Sequence, residues 1–253
     1  MKIFYYLVLL FNIAFALWLY TLSSHSTSFN YLYNILGSLN FLLGSLTSFY
    51  FCKKYSQHKI IFLGLGVSSL SYFLAQLTWY GYNTLYQSEI PYPSYTDLFF
   101  LIFYLTTIIS GLKTMSFIKF KFNLGTFIEI IAVALVILLL SHSFMNSVSN
   151  SGPTTLLEAI LNYAYPTLDA ILISLTLAAI RSQYGRSQPM LLLFMSAFIA
   201  LTFGDTIFAY QTSLDLYWNG NIVDVFFSLT GFFMAMAIYR LPSLLNAQDK
   251  KLT

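Results

Sequence analysis

The twelve basic residues of this 253-residue chain fall beside alternate apolar runs and nowhere else, which fixes a membrane topology before any single motif is considered. A helix needs about 20 mostly apolar residues to cross the hydrocarbon layer. Eight windows meet that demand, roughly 3–20, 31–52, 60–80, 97–115, 124–145, 155–180, 189–210 and 221–239. Lys2 precedes the first, and Lys53, Lys54 and Lys59 follow the second. Lys113, Lys119 and Lys121 end or follow the fourth, Arg181 and Arg186 follow the sixth, and Arg240, Lys250 and Lys251 follow the eighth. The intervening loops 21–30, 81–96, 146–154 and 211–220 contain no lysine or arginine. Strict alternation and the positive-inside rule therefore agree, and predict both termini on the cytoplasmic side.

With 58% hydrophobic and only 8% charged residues, the chain lacks the polar surface of a water-soluble domain. The expected fold is an all-α polytopic membrane bundle of about eight transmembrane helices, one domain over 1–242 with a short cytoplasmic tail at 243–253. The lipid bilayer is the expected partner, and the scattered charge offers no nucleic-acid surface. Met1-Lys2 followed by an apolar run and Ala14-Phe15-Ala16 imitates a secretion signal, but the run 3–20 exceeds a signal's usual core of about 7–15 residues, so an uncleaved anchor is expected. Cys52 has no partner for a disulfide and is given no role. Pro166 alone is placed inside a span, while Pro242 is read as lying past the last one.

The acids carry the informative chemistry. Glu129, Asp169 and Asp205 fall inside spans, and Asp97, Glu158 and Asp224 in first turns. An ionised carboxylate at the bilayer centre costs at least about 2.5–3.5 kcal/mol, so these side chains should face the bundle interior or a wet cavity. No lysine or arginine lies deeper than the last turn of a span, which leaves hydrogen bonds, protonation, water or a bound cation as compensation. Helix direction places Asp97, Glu158, Asp205 and Asp224 in the outer half, Asp169 near the midplane and Glu129 in the inner half, which suggests a cavity opening outward.

Asp97 and Glu158 follow plausible caps, Ser94-Tyr95-Thr96 and Thr154-Thr155, where acids suit the positive helix end. Asp169 and Asp205 have no such explanation and point to buried polar contacts, with Tyr165, Tyr163 or Tyr210 as candidate donors. His25 and His142 fall near the outer face but form no ligand-spaced motif, so no metal is assigned. No phosphate-cradling glycine loop or nucleophile motif occurs, no catalytic residue is assigned, no cofactor is implied, and an enzyme is the less favoured class.

The helix end Thr78-Trp79-Tyr80-Gly81 is followed by Pro91-Tyr92-Pro93-Ser94-Tyr95-Thr96-Asp97-Leu98-Phe99-Phe100-Leu101-Ile102-Phe103-Tyr104, which resembles PPxPSxADxxYLxxY. Phe127-Ile128-Glu129 looks like LLD, Ala164-Tyr165-Pro166-Thr167-Leu168-Asp169 like AYPxxD, and Gly204-Asp205-Thr206-Ile207-Phe208 like ADxxY. Tyr217 to Phe227 looks like YxxGxxxDxxW, with Gly220 and Asp224 in place. These pieces, in this order over about 78–227, resemble the multi-helix N-terminal membrane domains of bacterial and archaeal signalling proteins, notably diguanylate cyclases with GGDEF or EAL domains and some histidine kinases. The departures are Ile90 for proline, Glu129 for aspartate, Thr96 and Gly204 for alanine, Phe100 and Phe208 for tyrosine, and Phe227 for tryptophan.

The resemblance implies that Asp97, Asp169, Asp205 and Asp224 belong to a sensory or scaffold bundle. In that family the last helix feeds an effector, whereas only 243–253 follow Pro242 here, so the expectation is a stand-alone sensor-like or accessory subunit of the cell membrane with a signalling protein as partner. Its hypothetical ligand site comprises Asp97, Asp169, Asp205, Asp224, Glu129 and Tyr165. The alternative is a transporter or channel for a cation or small solute, motivated by Asp169 beside Pro166.

Overall fold

The computed structural model describes residues 2–25, 27–86, 90–118, 120, 123–146, 155–182 and 188–249. Among them are eight α-helices: α1 (Lys2–Leu19), α2 (Ser28–Lys54), α3 (Lys59–Tyr86), α4 (Tyr95–Phe117), α5 (Leu124–Asn146), α6 (Leu156–Ser182), α7 (Gln188–Ser213) and α8 (Ile222–Asp249). Seven are long and apolar enough to span a bilayer, and α5 is apolar over Leu124–Leu140. No strand occurs among the described residues, so the molecule is an all-α, multi-pass bundle.

Helix starts coincide with the polar residues that precede each apolar run. Thr27 and Asn30 form a reciprocal capping box on α2, and Ser94 and Asp97 do the same on α4. Thr155 accepts from the Glu158 amide at 3.1 Å, and Asn221 from the Val223 amide at 2.8 Å. In hydrocarbon these caps matter more than in water, because first-turn N–H groups have few other acceptors.

Among the described residues, three contacts tie connections free of basic residues to neighbouring elements at one end of the bundle. There the Tyr20 hydroxyl accepts from the Ile222 amide at 2.8 Å, Asn30 Nδ2 donates to the Asn219 carbonyl at 3.0 Å, and Tyr92 donates to Asn162 Oδ1 at 2.9 Å. Towards the opposite end Tyr5 lies against Tyr239, with ring centroids 6.4 Å apart, joining the start of α1 to the second half of α8. We call the first end outer, following the positive-inside expectation.

Lipid supplies no hydrophobic force between helices, so the close contacts use small residues. A Cβ added to Gly44 would lie 3.3 Å from the Ala235 Cβ, and one added to Gly66 would lie 2.7 Å from the Phe49 ring, so α2 packs on α8 and α3 with no room for a larger side chain. The core is aromatic: Phe41 stacks on Tyr72 at 3.9 Å, and Phe103 meets Tyr72 edge-on at 5.2 Å. Helix α1 is held by a hydrogen bond of 2.5 Å between Tyr5 and Thr47, and buries Tyr5, Asn12, Ala16 and Leu19 while leaving Ile3, Leu7, Leu10 and Leu17 exposed as a lipid-facing surface.

One expectation is corrected. Helix α8 does not stop near 239 but runs through Pro242 to Asp249, and Leu244 and Leu245 join the main core, so the bundle does not end at 242. A proline removes one N–H and crowds one carbonyl, which a helix packed on neighbours tolerates. Helix α6 likewise runs through Pro166, where the Thr167 hydroxyl donates to the Tyr163 carbonyl at 2.7 Å.

Candidate functional site

Four side chains on two helices form a reciprocal pair of rungs. On α4, Asp97 and Tyr104 are seven residues apart and share a face; on α6, Tyr165 and Asp169 are four apart and share a face. Both helices run inward from the outer end. Tyr165 therefore donates to Asp97 Oδ1 at 2.6 Å, and one layer deeper Tyr104 donates toward Asp169 Oδ1 at 2.8 Å. Each helix contributes one acid and one phenol.

Asp97 serves two purposes at once. Its Oδ2 accepts from the Ser94 amide at 2.7 Å as the capping-box acid, while its Oδ1 accepts a hydrogen bond from the Tyr165 hydroxyl. The capping account of Asp97 and the interhelical account are both satisfied, because a carboxylate has two acceptor oxygens.

The deeper rung is shared with a third helix. The same Tyr104 hydroxyl lies 2.6 Å from Asp205 Oδ2 on α7. Asp169 and Tyr104 are buried, at 1% and 2% exposure, and among the described residues no lysine or arginine is paired with either acid. A phenol carries one proton and an ionised carboxylate carries none to donate. Both contacts become full hydrogen bonds when Tyr104 donates to one carboxylate and accepts from the other in its protonated form. Either acid can take the single phenol proton, and the second contact is a full hydrogen bond only when the other acid brings a proton of its own.

Asp224 is a separate arrangement at the start of α8. Its Oδ2 accepts from the Gly220 amide at 2.5 Å, and Tyr217 donates to the same carboxylate at 3.1 Å. Gly220 has a φ of +92°, so the turn requires glycine, and an added Cβ would also lie 2.3 Å from the tip of the Leu19 side chain, which would have to shift. Tyr217 is thus a hydrogen-bond donor to this acid. The spacing Tyr217, Gly220, Asp224 is therefore the spacing of one helix-start structure. Positions 204 and 227, both departures from the resembled pattern, pack on each other: a Cβ on Gly204 would lie 2.6 Å from the Phe227 ring.

Glu129 does not belong to the site. It forms an ion pair with Arg181 at the inner end, where Arg181 is 65% exposed and Glu129 26%. Arg181 sits in the last turn of α6, and its long side chain reaches back to α5, which the count of residues along the span did not anticipate. Glu158 caps α6. In the loop above the cluster, the Tyr92 phenol is held above the usual tyrosine range, first by burial and then by the nearby Asp97 and Glu158 carboxylates. His25 stacks on Trp218 with centroids 4.0 Å apart, and the side chain of His142 lies outside the described residues. No group of three or more histidine, cysteine or acidic residues is placed to hold a metal among the described residues.

Asp97, Asp169 and Asp205 are closed by phenols, and a cavity of about 10 Å³ lies beside Asp224. A larger, mostly apolar cavity of about 60 Å³ lies among α4, α6 and α7, lined by residues such as Ile108, Met115, Leu175 and Phe194. Sequence reasoning had the acids and Tyr165 but not Tyr104, whose signal was its place seven residues after Asp97 on one face of α4. No protein family, curated protein or solved structure matches the chain.

Proposed function

We propose that this multi-pass protein is a sensor-like subunit of the cell membrane whose responsive element is the acid–phenol cluster of Asp97, Tyr104, Tyr165, Asp169 and Asp205. The observation that carries the reading is the single Tyr104 hydroxyl shared by Asp169 on α6 and Asp205 on α7. One hydroxyl joins three helices, so a solute or a change in proton occupancy that claims either carboxylate alters the link between α4 and the α6–α7 pair. A ligand shifts such an equilibrium only by its differential interaction with the two arrangements, and a buried, saturated hydrogen-bond set supplies that difference. The resemblance to signalling membrane domains supports the same class by analogy, with a signalling protein as the partner that reads the shift.

Spin labels at the inner ends of α4 and α6, in nanodiscs, test this reading. Distance distributions should change with outside pH or solute in the wild type and become unresponsive in Tyr104→Phe. Distributions that are insensitive to every condition in both proteins would overturn it. A transporter of a cation or small solute is the second reading, favoured by Asp169 lying mid-helix three residues after Pro166. Gradient-driven vesicle uptake abolished by Asp169→Asn would establish it in place of the sensor.

A further inference from the structure

The cavity beside Asp224 is small and incompletely paired. It measures about 10 Å³ and lies between α2, α3 and α8, with Asn34, Ser38, Tyr72, Gln76 and Asp224 on its wall. Asn34, Ser38, Tyr72 and Asp224 are 4%, 2%, 3% and 6% exposed. The Asn34 Nδ2 is buried with no hydrogen-bond partner among the described residues, although an amide nitrogen in that position costs roughly 1–3 kcal/mol if left unmet.

The groups on the wall define what fits. Asn34 presents two unused N–H donors. Asp224 accepts from Gly220 and Tyr217 and retains lone-pair capacity, and Ser38 donates to the Ile35 carbonyl at 2.9 Å, which leaves its oxygen free to accept. An occupant must accept from Asn34 and donate to Asp224 or Ser38. A metal cation cannot accept a hydrogen bond, and a halide cannot donate one and would face the Asp224 carboxyl. Water does both, and a volume of about one probe sphere, near 10–15 Å³, suits one molecule.

We propose that this cavity is a hydration site, in which one exchangeable water bridges Asn34 of α2 to Asp224 of α8. The bridge joins the two helices where α2 begins to pack on α8, and gives Asp224 a wet contact that Asp169, sealed by Tyr104, lacks. This site is independent of the sensor reading.

X-ray radiolytic hydroxyl labelling of the full chain in nanodiscs, read by peptide mass spectrometry, tests the proposal, because radicals formed from bound water mark the side chains around it. Tyr72 should label at a rate within about tenfold of the loop residue Tyr92, whereas Tyr5, equally buried at the α1–α2 contact, should stay unlabelled. Asn34→Leu should lower Tyr72 labelling at least about fivefold with Tyr92 unchanged, and Asn34→Ser should preserve it. Tyr72 labelling no faster than Tyr5 in the wild type would overturn the proposal even if Asn34→Leu fails to fold. Suppression of Tyr72 labelling by added sodium would also overturn it, by showing a cation in the cavity.

Discussion

Tyr104 on α4 reaches Asp205 on α7 at 2.6 Å, although the backbones of these two helices stay apart throughout the described residues. The reach of one phenol replaces direct helix packing there, and Asp169 on α6 completes the junction. Loss of that hydroxyl should therefore be felt at three helices.

Tyr104→Phe removes the donor and keeps the ring, leaving two buried carboxyl groups short of a partner. The expected cost is roughly 1–3 kcal/mol, with more if both acids are forced to ionise. Thermal unfolding in a fixed detergent should show a clearly lower midpoint, and an unchanged midpoint would mean the hydroxyl contributes nothing.

Asp97 and Tyr165 form the outer rung, and their coupling is separable by a double-mutant cycle of Asp97→Asn and Tyr165→Phe. Interhelical hydrogen bonds in bilayers couple by about 0.6 kcal/mol on average and about 1.7 at most. A coupling in that range is expected, and Asp97→Asn should cost more than Tyr165→Phe because it also weakens the cap on α4.

Glu129→Gln should be nearly silent. Its partner Arg181 is 65% exposed, and pairs of that kind contribute about 0–1 kcal/mol and are screened by salt. Stability within that margin of wild type, in low and high salt alike, is the expected result, in contrast to Asp169→Ala, which leaves Tyr104 with one fewer partner.

Gly220→Ala should be among the more damaging single substitutions in the outer loops, because it meets both a φ of +92° and a Leu19 atom 2.3 Å from the new Cβ. Backbone strain of this kind costs of order 1–3 kcal/mol. Thermal unfolding and cysteine accessibility at Leu19→Cys together separate loss of the turn from displacement of α1.

Tyr92 gives a pH signature outside the membrane. Burial and neighbouring carboxylates raise its ionisation in the folded state, so the neutral phenol stabilises the fold fully below the unfolded tyrosine value of about 10 and loses that contribution as pH rises beyond it. Stability should fall between about pH 10 and 11 more steeply in the wild type than in Tyr92→Phe. Equal slopes would contradict it.

Fold and site differ in how far the residues announce them. The eight helices are legible because lipid demands long apolar runs, and seven of them are long and apolar enough to span a bilayer. The cap on α4 is legible because Ser94 and Asp97 are local partners. Tyr104 is not, since it is one of twenty tyrosines and its role depends on α6 and α7, residues 65 and 101 positions away. Glu129 was grouped with the wrong acids because a residue's depth along a helix ignores the reach of an arginine from the next one. The end of α8 was misplaced because Pro242 reads as a stop in isolation, whereas packing of Leu244 and Leu245 carries the helix past it.

The carboxyl proton beside Tyr104 is the central claim, and infrared difference spectroscopy of the carboxyl region in nanodiscs tests it most directly. At neutral pH the wild type should show a protonated, hydrogen-bonded carboxyl band that shifts in heavy water and is lost when Asp169 and Asp205 are both changed to asparagine. Absence of such a band in the wild type, or its persistence in that double variant, would contradict the claim that Tyr104 holds the two acids around one carboxyl proton.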